Sequence, residues 1–240
     1  MPESHRSKFI KLLHQASQRF DLWDVFNDFL LVAATSIANT ADLCHVVTPV
    51  EEWNKREKRY LETIGKYSED EQSLFLRMFA ELVEEMDSHA KAKHFEDVLG
   101  GMFHELNLQS QWRNQFFTPQ GICDLMGKVA ADKEKLRQQI EAKGYVSFNE
   151  PCSGSGATIY GFMNAMLEYG FNISSDCLIY AGDLDERCVW MTYIQCSLYG
   201  VPAIIRQQNM LTGQQLGSPW YTPVYILGLW RWKEAGSNRR

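Results

Sequence analysis

The sequence lacks the features that mark membrane, secreted and metal-binding proteins. Its longest apolar stretch, "FLLVAATSIA" from Phe29, falls well short of the ~18 residues of a membrane span. The N-terminus "MPESHRSK" has no apolar core of a secretory signal, so we expect a cytoplasmic protein. None of the six cysteines forms a Cys-x-x-Cys pair, and the His and Cys spacing of a zinc site is missing as well. We therefore expect free thiols and no metal.

An excess of positive charge is also absent, because the formal net charge is −6. This argues against a strongly basic nucleic-acid-binding protein, although it leaves room for a local basic patch. The run "KREKR" (Lys55 to Arg59) and the tail "NRR" are candidates for such a patch. A solvent-exposed helix face is the alternative that we favour for both.

The sequence pattern of residues 1–110 predicts a helical region. The stretch "DLWDVFNDFLLVAATSIAN" has apolar residues at helical spacing, and "SEDEQSLFLRMFAELVEEMD" opens with Ser68 and Glu71 in the pattern of a capping box. A further helix is expected over "HFEDVLGGMFHELNL", with Gly100-Gly101 as its weak point. The apolar stripes of these helices indicate core packing rather than a ligand pocket.

Residues 111–240 show a different pattern, which predicts an α/β fold. The short apolar runs "YVSFNEP", "CLIYAGDLD" and "PAIIRQQNM" alternate with "GATIYGFMNAMLEYG" and "ERCVWMTYIQCSLYG", which are helical and end in glycine. Strand, helix, strand, helix, strand indicates a parallel sheet with right-handed crossovers. The stretch "PVYILGLW" is a plausible fourth strand.

The first of these strands runs into "NEPCSGSG" (Asn149 to Gly156), just before a predicted helix. Ligands bind at the carboxyl ends of the strands in such sheets, and glycines let the backbone approach them. The stretch is neither Gly-x-Gly-x-x-Gly nor a Walker loop. Asp183 and Asn209 end the next two strands; a carboxylate there accepts ribose hydroxyls, and an amide pairs with an adenine amine. The pattern predicts a nucleoside site, with three polar surface turns as the alternative.

Three segments resemble one enzyme family. "NEPCSGSGATIYGF" resembles the Asp-Pro-x-x-Gly-Ser-Gly motif of S-adenosylmethionine-dependent DNA adenine-N6 methyltransferases, and is most similar to the modification subunits of type I restriction systems. "QFFTPQGICDLMGKV" is similar to the Gln-Phe-x-Thr-Pro segment of that family, and "DVLGGMFHELN" resembles its Asp-x-x-Gly helix. The resemblance covers roughly Asp97 to Leu211. It implies that residues 111–240 form a Rossmann-like methyltransferase sheet, truncated or divergent and incomplete at the C-terminal side.

The resemblance also implies which residues hold the methionine part of the cofactor, S-adenosyl-L-methionine. The glycine turn would cradle this part from one side, and the upstream segment would cover it from the other. The turn residues are Gly154, Ser155 and Gly156, and the covering residues are Gln115, Phe117 and Thr118.

For the nucleoside part, the resemblance assigns one role at each strand end. Glu150 stands where the family has Asp, and Asp183 would bind the ribose. Leu184 would pack on the adenine ring. Asn209 would meet the adenine amine, with Met210 beside it.

The chain departs from the family at the motif that handles the target base, Asn/Asp-Pro-Pro-Tyr/Phe. The nearest string is "SPWY", in which Ser218 could accept a hydrogen bond and Tyr221 could stack on a flipped base. We expect these two as candidate catalytic residues, although they follow Asn209 closely. The strands that complete a methyltransferase sheet have no residues left, so an open sheet edge predicts a homo-oligomer or a partner subunit that also supplies DNA sequence recognition.

Three interpretations follow from these features. The first is a DNA adenine-N6 methyltransferase of a restriction-modification-like type. The second is a catalytically inactive methyltransferase-like module that binds S-adenosylmethionine, DNA or both. The third is a methyltransferase for a protein or a small molecule on the same sheet. The segment "QFFTP" favours DNA over the third interpretation.

Overall fold

The computed structural model describes residues 3–108 and 117–237, and it begins with a helical region. Its helices are α1 (His5–Ala16), α2 (Leu22–Ala41), α3 (Val50–Ile64), α4 (Glu69–Lys91) and the short α5 (Val98–Glu105). The predicted capping box is confirmed, because Ser68 accepts a hydrogen bond from the backbone of Glu71 and the Glu71 side chain bonds back to the backbone of Ser68. No helix within the described ranges is both long and apolar enough to cross a lipid bilayer.

The second half alternates strands and helices, as predicted. It comprises α6 (Gln120–Ala130), α7 (Lys133–Lys143), β1 (Val146–Glu150), α8 (Ala157–Glu168), α9 (Ile173–Asp176), β2 (Cys177–Asp183), α10 (Glu186–Leu198) and β3 (Ala203–Asn209). The three strands pair in parallel in the order β1-β2-β3, with Phe148 beside Ile179 and Ala181 beside Ile205. The α/β class is therefore confirmed, and the carboxyl ends of these strands share one edge of the sheet.

After β3 the chain turns back along that strand instead of adding a parallel neighbour. The segments β4 (Gln214–Gln215) and β5 (Trp220–Tyr221) both pair antiparallel with β3, which makes a mixed, mostly parallel five-stranded sheet. The predicted fourth strand "PVYILGLW" is wrong. Its first residues form the helix α11 (Pro223–Leu227), followed by α12 (Trp230–Ser237). Pro223 stands at the start of α11, where its missing N–H costs nothing, and β5 already pairs with β3.

One hydrophobic core includes side chains from both halves of the chain. Phe26 and Phe103 of the helical region belong to the same buried cluster as Ile179 and Ile205 of the sheet. On the opposite face of the sheet, a smaller cluster joins strand residues to α11 and α12, with Trp230 among its members. The predicted boundary between residues 110 and 111 lies outside the described residues.

The basic run of α3 is only partly solvent-exposed. Lys55 and Lys58 are exposed as predicted, but that prediction is wrong for Arg56, which is 6% exposed. The Arg56 guanidinium lies 4.0 Å from the centroid of the Trp220 ring and donates to the carbonyl oxygen of Pro219 at 2.9 Å. Arg56 therefore fixes the returning segment against α3 instead of forming part of a free basic patch. The tail "NRR" lies outside the described residues.

Candidate functional site

The glycine stretch forms a turn that is fastened to the neighbouring strand. Gly154 and Gly156 have φ values of +54° and +104°, a left-handed conformation that favours glycine. The backbone N–H of Ser153 donates to the carbonyl oxygen of Gly182, near the end of β2, at 2.9 Å. The turn between β1 and α8 therefore lies against the carboxyl end of β2.

Asp183 ends β2 directly beside this turn. Its Oδ2 accepts the backbone N–H of Gly154 at 2.9 Å, and its Oδ1 accepts the backbone N–H of Asp185 at 2.9 Å. Partial burial raises the pKa of the carboxyl group, while these backbone hydrogen bonds act in the opposite direction. Each carboxylate oxygen retains a second lone pair, so the group has the capacity to accept hydroxyl groups of a ligand.

Glu150 holds the other side of the same turn. Its Oε2 accepts the Thr158 hydroxyl at 2.6 Å, and its Oε1 accepts the backbone N–H of Cys152 at 3.2 Å. The side chain thus links the end of β1 to the first turn of α8. The geometry assigns Glu150 a part in shaping the turn, and a direct contact with a cofactor stays a prediction.

The upstream segment, described from Phe117 onwards, lies against the glycine turn. A Cβ on Gly154 would lie 3.1 Å from Cδ1 of the Phe117 ring, so the ring covers the turn closely. The backbone N–H of Phe117 donates to Nε2 of His104 at 3.1 Å, which ties the segment to α5. Thr118 is exposed, and its carbonyl oxygen accepts the Cys123 thiol at 3.8 Å. Gln115 lies outside the described residues.

An acidic residue that we did not predict, Asp97, determines the position of Ser155. Its Oδ1 accepts the backbone N–H of Gly100 at 2.9 Å and Nε2 of Gln195 at 3.0 Å, and its Oδ2 accepts the Ser155 hydroxyl. Asp97 is partly buried, and this burial raises its pKa, although the three hydrogen bonds act against the shift. Gly100 allows this contact, because a Cβ there would collide with the carboxyl group.

The carbonyl oxygen of Ser155 is held as firmly as its hydroxyl. It accepts Nε2 of Gln195 at 2.9 Å and the Tyr160 hydroxyl at 3.1 Å. Ser155 is therefore buried, and its side chain shapes the turn from behind instead of facing a ligand. Two signals in the sequence could have revealed this arrangement: Gln195 is polar within an apolar helix, and Asp97 stands at the N-cap of α5.

At the ends of β2 and β3, the predicted base-binding residues differ in whether their side chains are exposed or already hydrogen-bonded within the protein. The side chain of Leu184 is 59% exposed beside Asp183, and Met210 is partly exposed. Oδ1 of Asn209 accepts the backbone N–H groups of Leu211 at 3.0 Å and Thr212 at 3.3 Å, which closes the turn after β3. The expected acceptor for an adenine amine is thus engaged within the protein itself.

The structure does not bring Tyr221, one of the two candidate catalytic residues, to the strand ends. Tyr221 pairs with Ile204, five positions before Asn209 along β3, which corresponds to about 17 Å at ~3.3 Å per residue. The carbonyl oxygen of Ser218 accepts Nη2 of Arg56 at 3.3 Å. A catalytic part for Ser218 and Tyr221 stays a prediction, and the placement of Tyr221 does not favour it.

No metal centre accompanies the site: across residues 3–108 and 117–237, no group of three or more His, Cys, Asp or Glu side chains is arranged to hold a metal ion. The six cysteines have free thiols. Comparison of the chain with protein-family models, with curated proteins and with solved structures gives no match in any of the three cases.

Proposed function

We propose that this chain binds S-adenosyl-L-methionine at the carboxyl ends of β1 and β2 and acts as a DNA adenine-N6 methyltransferase of a restriction-modification-like type. The observation that supports this most is the position of the Asp183 carboxylate. It lies at the end of β2, bonded to the backbone of Gly154, in a turn that the Phe117 ring covers. The glycine turn, the acid and the aromatic ring are the three parts that the sequence resemblance assigns to the cofactor.

The residues present fit such a cofactor. The second lone pairs of Asp183 would accept the ribose hydroxyls, and the exposed side chain of Leu184 would pack on the base. The backbone of the glycine turn would face the methionine part, with the Phe117 ring beside it. When bound, the cofactor supplies a methyl group on a positively charged sulfonium, which the carboxylate of Asp183 favours electrostatically.

Methylation of DNA requires the target adenine to leave the base stack and its amine to lie in line with the methyl group. A catalytically inactive module that binds S-adenosylmethionine, DNA or both is therefore a second candidate function. The observation that favours it is the location of Tyr221 beside the first half of β3, away from Asp183. DNA remains the proposed partner in both cases.

We also propose that another protein surface covers the side of the sheet beyond β1. In the described part of the chain, β1 pairs with β2 alone, so its other side presents backbone groups for pairing. On α6, which packs on α8, Ile122, Leu125, Met126 and Val129 follow helical spacing and are all more than half exposed. A second copy of this chain or a partner subunit would bury both features.

The cofactor proposal is tested by calorimetry with S-adenosylmethionine. We expect Asp183→Ala to weaken binding by about 1–3 kcal/mol, because the ribose loses a charged hydrogen-bond acceptor. Asp176→Ala is the matched control, since this acid lies at the opposite end of β2 and should leave the affinity unchanged. Equal affinities of the wild-type protein and Asp183→Ala would exclude Asp183 as the ribose ligand.

A second experiment separates the two candidate functions. Transfer of a radiolabelled methyl group to unmethylated DNA by the wild-type protein would support the enzyme. Cofactor binding without any transfer would support the inactive module. If the wild-type protein is active, the variants Tyr221→Phe and Tyr221→Ala test whether the Tyr221 ring takes part in methyl transfer. An unchanged transfer rate in both variants would exclude such a part.

A further inference from the structure

We propose that the adenine base is recognised in a cavity between α2 and α10, where Asn27 binds its amine and Trp190 binds the adjacent ring nitrogen. The inference rests on the proposed function, since it assumes that the ligand is an adenine nucleoside bound through Asp183. It extends the site into the helical region, to which the sequence resemblance assigns no cofactor contact.

The cavity lies next to Asp183, the residue that we predict to bind the ribose. It has a volume of about 440 Å³, and Leu184 and Asp185, the two residues that follow Asp183, line it together with Gln207 of β3. Asn27 of α2 and Trp190 of α10 line it from the helical side. A base attached to a ribose at Asp183 can therefore extend into this cavity.

Two polar atoms of the cavity residues lack a protein partner. Oδ1 of Asn27 and Nε1 of Trp190 are shielded from solvent and make no hydrogen bond to any residue that the structure describes. Buried polar groups are normally paired, because an unpaired one loses its bonds to water without replacement. The pair consists of one acceptor and one donor on two residues that line the same cavity, which is the complement of a ligand that presents one donor beside one acceptor.

Adenine presents this combination, because its exocyclic amine donates next to N7, a ring nitrogen that accepts and that is unchanged by deamination. The Asn27 amide reaches the amine by turning about its last bond, and the indole N–H of Trp190 donates to the ring nitrogen. The indole is held in place, since the Arg59 guanidinium lies 4.9 Å from its ring centroid. Asn209, which was expected to bind the amine, has its oxygen engaged in the turn after β3.

The test compares S-adenosylhomocysteine with its deaminated analogue, S-inosylhomocysteine, which carries a carbonyl oxygen in place of the amine. We expect the wild-type protein to bind the adenosyl compound at least tenfold more tightly, because the analogue places an acceptor opposite the oxygen of Asn27. Asn27→Leu, of similar size, should reduce this preference to less than about threefold. Asn54→Leu, an exposed position on α3, should retain it.

Trp190→Phe provides a second measurement, because it removes the indole N–H and keeps an aromatic ring in the wall. We expect it to weaken binding of S-adenosylhomocysteine about tenfold. Failure of the wild-type protein to bind S-adenosylhomocysteine would overturn the proposed function together with this inference. Binding by the wild-type protein, with the base preference kept in Asn27→Leu or the affinity kept in Trp190→Phe, would overturn this inference alone.

Discussion

At the scale of single residues, the groups that shape the candidate site are buried polar side chains behind the glycine turn. Asp97 is bonded to Ser155, Gln195 and the backbone of Gly100, so three elements meet at one carboxyl group. A partly buried carboxyl group with several partners makes the turn rigid, but its burial also disfavours the ionised form. The pH dependence of stability is therefore sensitive to Asp97.

Burial places the pKa of Asp97 in the folded protein above its value in the unfolded chain, about 3.9. The folded state then binds the proton more tightly. This contribution to stability is complete below the unfolded pKa and is lost as the pH rises through the folded pKa. We expect the wild-type protein to lose stability relative to Asp97→Asn as the pH rises above about 4, by about 1.4 kcal/mol for each unit between the two pKa values.

Urea unfolding of the wild-type protein and Asp97→Asn at several pH values between 4 and 8 measures this difference. Burial raises the pKa of Asp183 in the same direction, but that residue is present in both proteins and its effect cancels. A stability difference that is constant across the whole pH range would contradict the prediction.

At the scale of elements, α6 and α8 approach each other through two glycines. A Cβ on Gly161 would collide with the backbone carbonyl group of Cys123, and one on Gly127 would collide with the backbone of Gly161. Backbone atoms cannot turn aside as a side chain can, so the helices would have to separate. This contact places α6, and the Phe117 segment before it, over the glycine turn.

We expect Gly161→Ala to lower the free energy of unfolding by about 1–3 kcal/mol or more, as overpacking does in cores. Gly121→Ala is the matched control on α6, because a Cβ there meets no described atom within 4 Å. It should be neutral or stabilise the helix by up to about 1 kcal/mol. Urea unfolding followed by circular dichroism compares the two, and equal stabilities would mean that the helices are not in close contact.

The sequence predicted a helix or strand correctly where the signal lies within the residues of that element. The capping box at Ser68 and the apolar runs before Glu150, Asp183 and Asn209 are local signals, and all four are confirmed. The stretch "PVYILGLW" is apolar enough for a strand, but its conformation depends on β5, which already pairs with β3. The bonds between Asp97 and Ser155 join distant parts of the chain, so no local pattern predicts them.

At the scale of the whole molecule, α6 carries a row of exposed apolar side chains, and β1 pairs on one side only in the described part of the chain. Val129 is 81% exposed and Leu125 is 64% exposed on α6, a helix whose two charged residues, Asp124 and Lys128, already contact His94 and Glu168. Covering this face would therefore desolvate few free charges. We expect the purified chain to self-associate through it at micromolar concentrations.

The double variant Leu125→Lys/Val129→Lys should shift the protein to a monomer in light scattering and sedimentation velocity. Leu76→Lys, on α4, is the matched control because this leucine is equally exposed on another surface, and it should leave association unchanged. A wild-type protein that is monomeric at micromolar concentrations would exclude a second copy and leave a different subunit as the proposed partner of this face.

The hydrogen bond between Asp97 and Ser155 also limits which segments of the chain can be exchanged with those of another protein. A chimera that joined the sheet to an unrelated helical segment would keep every glycine of the turn and lose the carboxylate behind it. Gln195 and the Ser155 hydroxyl would then have no partner on that side, and the loop would relax into other shapes. Natural or engineered exchange of modules should therefore succeed only when the crossover falls before Asp97.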